Sequence, residues 1–334
     1  QNSPKPYQSA SLNSVIKGYK GSGTEHDPIL IETIQDLAGL QKPEVGQQGY
    51  YFLQTADIDG SALTQWFDID FKGNYNGNGF LIKFKDNFID HDNFSNTQGN
   101  IYSIFINVQD SKITNISIEG VLLAKNIADS EILGSYTKNS FAIYAENSKI
   151  QQCYTRSPLL WEQVSNTLIL NCLVLLDKPS DYWGVSYRVT DESKIENCFV
   201  QGNIANPNFF GLVRQGNNSS ILNNALGKIN AYTKTRFIDN YSDTTLTNNI
   251  SIDSNSGTSD ANGKDGLTVP AAFFNQKYFE DHLGWDFENI WQWDTQKDHP
   301  TLRPLIADKT TKQPELKANE VSLIQQQLQA NIWL

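Results

Sequence analysis

One short phrase returns seven times between Asp110 and Asn249, and it limits the chain to very few folds. It reads S-K-I-T-N-I at Ser111, S-E-I-L-G-S at Ser130, S-K-I-Q-Q-C at Ser148, T-L-I-L-N-C at Thr167, S-K-I-E-N-C at Ser193, S-S-I-L-N-N at Ser219 and T-T-L-T-N-N at Thr244. Its aliphatic anchors are Ile113, Ile132, Ile150, Ile169, Ile195, Ile221 and Leu246, spaced by 19, 18, 19, 26, 26 and 25 residues. Self-similarity near this period is the mark of a solenoid. The repeats carry short Ile/Val/Phe/Tyr runs broken by polar residues, not the long helical runs of a helical array, so each is a coil of strands. The pattern predicts an all-β, right-handed, single-stranded parallel β-helix with an N-terminal cap and a C-terminal cap plus helix. Like residues then stack about 4.8 Å apart. Two positions after the anchors, Asn115, Asn171, Asn197, Asn223 and Asn248 are expected to form a structural ladder. One position further, Cys153, Cys172 and Cys198 are expected to fill the core. A disulfide between adjacent coils is the competing reading, since neighbouring strands bring Cα atoms within its range.

Several stretches outside the repeat resemble bacterial secreted and surface proteins with GLUG-type β-helix repeats. They are G-S-G-T-E-H-D-P-I-L-I-E-T-I-Q-D-L from Gly21, Y-F-L-Q-T-A-D-I-D-G from Tyr51, Trp66, and F-K-G-N-Y-N-G-N-G-F-L-I from Phe71. F-F-G-L-V-R-Q-G at Phe209–Gly216 is similar to one such repeat, and G-W-D-F-E-N-I-W-Q-W at Gly284–Trp293 with His299, Pro300, Leu302 and Pro304 to the closing segment. The resemblance covers roughly residues 21–306, although most coils lack the glycine pair of a good GLUG repeat. It implies a β-helix scaffold shared by adhesins, large surface proteases and uncharacterised proteins, so it speaks to fold more than to activity.

The chain divides in sequence into a polar segment at 1–20, an N-terminal cap and first coils at 21–100, regular coils at 101–263, a Trp-rich cap at 264–306, and a linker with an amphipathic helix at 307–334. In the caps, Thr33–Leu40 is expected to form a short helix, and Trp285, Trp291 and Trp293 to seal the bottom of the solenoid. Val321, Ile324, Leu328 and Ile332 line one face of the terminal helix, a candidate surface for a protein partner. A net charge of −11 disfavours nucleic acid and anionic lipid as partners. No apolar run reaches the ~20 residues of a membrane span. The chain has no Met and no signal sequence, which reads as a mature piece of a secreted or cell-surface precursor.

Metal signals are thin, and no cofactor is expected, with calcium left open. Asp57 and Asp59 are half of a calcium loop and read better as turn residues. Asp90, His91 and Asp92 are adjacent and converge poorly on one ion. G-N-Y-N-G-N-G at Gly73–Gly79 lacks the Lys-Ser/Thr of a phosphate loop and reads as a tight corner. The Asn-x-Ser/Thr triplets at Asn93, Asn115, Asn217, Asn218 and Asn249 largely coincide with the ladder. His282 and His299 have no partner nucleophile in a recognisable context, so a hydrolase triad is not supported.

After Ile169 the coils lengthen. The added residues fall in Asp177–Trp183, Gly202–Phe209 and Gly227–Lys234, loops that would stack into a wall beside a groove. Seven residues before successive anchors stand Glu162, Arg188, Arg214 and Asp239, which the constant count places on one line. Trp161, Tyr182, Trp183, Tyr187, Phe209 and Phe210 flank it. Guanidinium groups beside aromatic rings suit an acidic glycan. The competing reading is a salt-bridge ladder, Glu162 with Arg188 and Arg214 with Asp239, over aromatics in the core. Three functions follow: non-catalytic binding of a carbohydrate or host surface, a polysaccharide lyase using Arg188, Arg214 and Tyr187, or a structural segment of a larger surface protein. Glu162 and Asp239, three coils or roughly 14 Å apart, are too distant for a glycosidase pair.

Overall fold

The computed structural model describes residues 14–63, 66–85, 101–230 and 235–304. The Asp90–Asp92 cluster, Asn93, the last residues of the third loop and the terminal helix lie outside them. The chain is a right-handed parallel β-helix, and its described residues form two compact units, one through Thr137 and one over Lys138–Arg303.

In the first unit the anchor column begins earlier than the repeated phrase. Strands Ile29–Ile31, Tyr51–Gln54, Asn74–Asn76, Lys112–Thr114 and Glu131–Leu133 pair in parallel, with Ile29, Phe52, Tyr75, Ile113 and Ile132 in register. All five are buried. The predicted helix forms over Ile34–Ala38, where Thr33 accepts from the Asp36 N–H and Asp36 from the Thr33 N–H, a reciprocal cap. The Gly73–Gly79 run, expected to be a tight corner, is mostly the anchor strand Asn74–Asn76, and only its end at Gly77–Gly79 turns, with Asn78 at φ 56°. A Cβ on Gly77 would lie 2.5 Å from the Asn115 carbonyl oxygen, so only glycine fits there. Asp59 accepts from the Ser61 N–H as a turn residue does, whereas Asp57 accepts from the Leu81 N–H of the next coil.

The second unit repeats a three-strand coil. Ala142–Glu146, Leu160–Ser165, Ser186–Thr190, Val213–Leu222 and Ile238–Thr247 form one stack. Short strands holding Ile150, Ile169 and Ile195 align with Ile221 and Leu246 in the longer ones. Tyr154–Thr155, Leu173–Leu176, Phe199–Gly202, Ala225–Ile229, Ile250–Ile252 and Leu267–Val269 make the second sheet.

Each three-residue anchor strand is bounded by left-handed corners. The Asn after it (Asn115, Asn171, Asn197, Asn223, Asn248) has φ of 55–57°. Asparagine is there chiefly because it tolerates this backbone. One ladder bond is made, from Asn248 Nδ2 to Asn223 Oδ1. The residue before the Ser/Thr column is the other corner: Asp110, Asp129, Asn147, Asn166, Asn218 and Asp243, all at positive φ.

The hydroxyl column is the better ladder. Thr167 Oγ1 accepts from the Ser148 N–H and donates to the Ser165 carbonyl, and Ser193 Oγ accepts from the Thr167 N–H. The Thr167 hydroxyl thus satisfies two backbone groups at a corner. Thr167→Val keeps shape and strand propensity but strands the buried Ser148 N–H, and should lower stability by about 1–3 kcal/mol in a urea melt.

Cys153, Cys172 and Cys198 are free and fully buried. Their thiols donate weakly to carbonyls two residues back, and burial holds the Cys198 thiol well above its usual range. Asn224 and Asn249 continue this column, their amides bonded to each other and to the Ile195 and Ile221 carbonyls.

The Trp-rich segment departs from expectation. It packs along the flank of five coils, on Leu173, Phe199, Ala225, Ile250 and Val269, not across the last coil alone. Trp285 Nε1 donates to the Asn223 carbonyl, Trp291 Nε1 reaches Asn171 Oδ1, and their rings stack at 4.5 Å. His299 is buried there against the Phe199 ring.

Candidate functional site

The line of charges is in fact two adjacent rows. Most coils place one left-handed residue between the long strand and the Ser/Thr column; the Arg188 coil places two, Asp191 at φ 54° and Glu192 at φ 65°. The extra residue shifts the count by one. Arg188 is therefore opposite Gln163 and Gln215, not Glu162 and Arg214. One row runs Glu162, Tyr187, Arg214, Asp239, and its neighbour Tyr144, Gln163, Arg188, Gln215, Asn240.

The expected ion pairs are half realised. Arg214 Nε meets Asp239 Oδ2 at 3.3 Å. Arg188 makes no ion pair among the described residues: its Nε donates to Gln215 Oε1 at 3.0 Å and its Nη1 to Gln163 Oε1 at 3.3 Å. Glu162 is partly exposed and has no side-chain partner among the described residues. Both guanidinium groups lie over the Tyr187 ring, Arg188 Cζ at 5.2 Å and Arg214 Cζ at 5.7 Å from its centroid, and Arg214 also covers Phe210 at 4.3 Å. A guanidinium has five N–H donors, and most of those on this pair are unused by the described residues.

The aromatic wall is a correction. Trp161, Trp183, Phe209 and Phe210 are buried. Trp161 Nε1 donates to Ser140 Oγ and Trp183 Nε1 to the Leu160 carbonyl, so they pack the coil corner and offer no face to a ligand. Each precedes the outward pair of its strand or closes a loop, positions that point inward. Tyr187 is partly exposed, Tyr182 is 49% exposed, and the sequence reading missed Tyr144 and Tyr241, each 45% exposed. It also missed Gln163 and Gln215; the doubled Asp191-Glu192 corner was the only sequence signal that could have found them.

The loops stack as expected. Ala205 and Asn206 donate from the backbone to the Pro179 carbonyl, Phe210 to that of Tyr182, and Asn230 Nδ2 to Asn203 Oδ1. Asp181 sits inside this stack with its Oδ2 buried and without a hydrogen-bond partner among the described residues. Burial pushes its carboxyl up to about 7, against the pull of Lys178.

No group of His, Cys, Asp or Glu among the described residues is arranged to hold a metal ion. No described helix is long and apolar enough to cross a membrane. No family model and no curated protein matches this chain. A solved structure that matches is the crystal structure of a candidate immunoglobulin A1 protease from Bacteroides ovatus, with TM-score 0.36 and 14% identity, covering 85% of this chain and 94% of that one. A likeness of that degree carries no argument about activity.

Proposed function

We propose that this chain is a non-catalytic binding module of the secreted or cell-surface, adhesin-like kind, and that it holds an acidic carbohydrate or host-surface ligand on the face around Tyr187. The observation that carries this reading is the guanidinium pair. Arg188 and Arg214 are fixed by glutamines, Asp239 and aromatic rings, yet keep most of their donors for something outside the protein. Fixing them beforehand lowers the ordering cost of binding. The sequence resemblance to GLUG-type surface proteins supports the setting.

The test is retention of the purified chain on immobilised polygalacturonate, with Arg188→Ala/Arg214→Ala as the control. Binding should weaken at least about tenfold in the double variant. Equal retention of both proteins sinks the reading. Unsaturated-uronate absorbance during incubation would replace it with a lyase.

A further inference from the structure

The second row has a chemistry of its own. Because a guanidinium only donates, the Gln163 and Gln215 groups that meet Arg188 must be their carbonyl oxygens. Each amide NH2 is thereby turned away from Arg188, and neither has a protein partner among the described residues. Three successive coils therefore present donors and no acceptors: an amide NH2, a guanidinium edge and another amide NH2. Such a strip matches a ligand that offers an acceptor-only group at each step.

The charge of the strip narrows the ligand further. Arg214 in the neighbouring row is neutralised by Asp239, so the strip carries one free cation between two neutral donors. That suits one charge per sugar better than dense polysulfate. Glu162, next to Gln163 and without a side-chain partner among the described residues, repels a second anion in the first row. At one end Tyr144 offers an open ring for stacking on a sugar face, and at the other Asn240 is exposed. Four coil steps of about 4.8 Å make the row roughly 19 Å long, enough for a short oligosaccharide.

We infer that Tyr144, Gln163, Arg188, Gln215 and Asn240 form a track for one linear polyuronate chain lying across the strands, with Gln163 and Gln215 donating to its carboxylates. This rests on the binding reading above. The experiment is calorimetric titration of the full chain with polygalacturonate oligomers, dextran sulfate and neutral dextran. The proteins compared are wild type, Arg188→Ala/Arg214→Ala, Gln163→Glu/Gln215→Glu, Tyr144→Ala and Asn240→Ala. The two glutamates are near-isosteric and can pair with Arg188, so folding is preserved, which an unchanged melt verifies. They turn the donors into anions and should weaken polygalacturonate binding at least about tenfold. Tyr144→Ala and Asn240→Ala should each weaken it several-fold. If wild type binds neither anionic polymer, the binding reading falls and the track with it. If the double arginine variant loses binding while the glutamate variant keeps it, the track is overturned and the binding reading stands. No effect at either Tyr144 or Asn240 overturns the direction along the stack. Tighter binding of dextran sulfate than of polygalacturonate overturns the choice of polyuronate.

Discussion

Arg236→Met should lower stability by about 3–5 kcal/mol, because it removes the donors of several buried neutral acceptors at once, each costing about 1–3 kcal/mol when left unsatisfied. Arg236 is 1% exposed and lies two residues before the long strand Ile238–Thr247. Its Nε donates to the Ser256 carbonyl at 3.0 Å, Nη1 to Thr268 Oγ1 at 2.9 Å and Nη2 to the Asn255 carbonyl at 3.3 Å. No carboxylate among the described residues pairs with it within ion-pair distance; Asp265 instead accepts the Arg236 and Thr258 backbone N–H groups. Burial lowers its pKa and Asp265 opposes this, and a guanidinium stays charged in either case. The side chain acts as an internal clamp on the 255–268 loop. Methionine fills similar space but leaves buried carbonyls without donors. The check is the urea midpoint of wild type against variant. A loss under about 1 kcal/mol would mean that water replaces the clamp. Gly257 should be intolerant for the same reason, since a Cβ there would lie 2.4 Å from Arg236 Nε at a φ of 141°.

Asp181 should make the fold weaken as pH rises. Its folded pKa of about 7 lies above the ordinary carboxyl value of 3.8. Below pH ~4 both folded and unfolded chains hold the proton, and its stabilising contribution is fully present. Between ~4 and ~7 only the folded chain keeps it, so stability falls through that window and levels off above. The neighbouring charges are Lys178, which pulls the pKa down, and Asp177, which pushes it up; Asp177 is itself paired with Arg156. Asp181→Asn removes the titration, and should raise stability relative to wild type by about 2–4 kcal/mol at pH 8. Urea midpoints at pH 4, 6 and 8 measure it. Parallel pH profiles for the two proteins would show that Asp181 stays ionised in its loop.

Much of this fold is legible from seven anchors. Ile113 through Leu246 are all buried, and successive anchors pair in register within each unit. The phrase fails upstream because Phe52 and Tyr75 fill the anchor column without the Ser and Asn that flag it later. The site was less legible. A count from the anchor assumes coils of constant length between corner and strand, and one added residue at Asp191-Glu192 broke it. Arg236 left no mark either, because nothing in T-K-T-R-F-I-D separates a buried guanidinium from a surface one. The flank packing of the Trp segment depends on contacts between residues up to 120 apart, such as Trp291 with Asn171, which no local period encodes.

The doubled corner has a wider consequence. Val164 still aligns with Val189 and Ile169 with Ile195, so the hydrophobic interior does not feel the added residue. Only the outer lettering slips by one place, bringing an arginine between two glutamines. In this architecture a single codon inserted at a left-handed corner rewrites what one face displays while the interior stays as it was. What such a face displays and whether the chain folds can therefore drift independently.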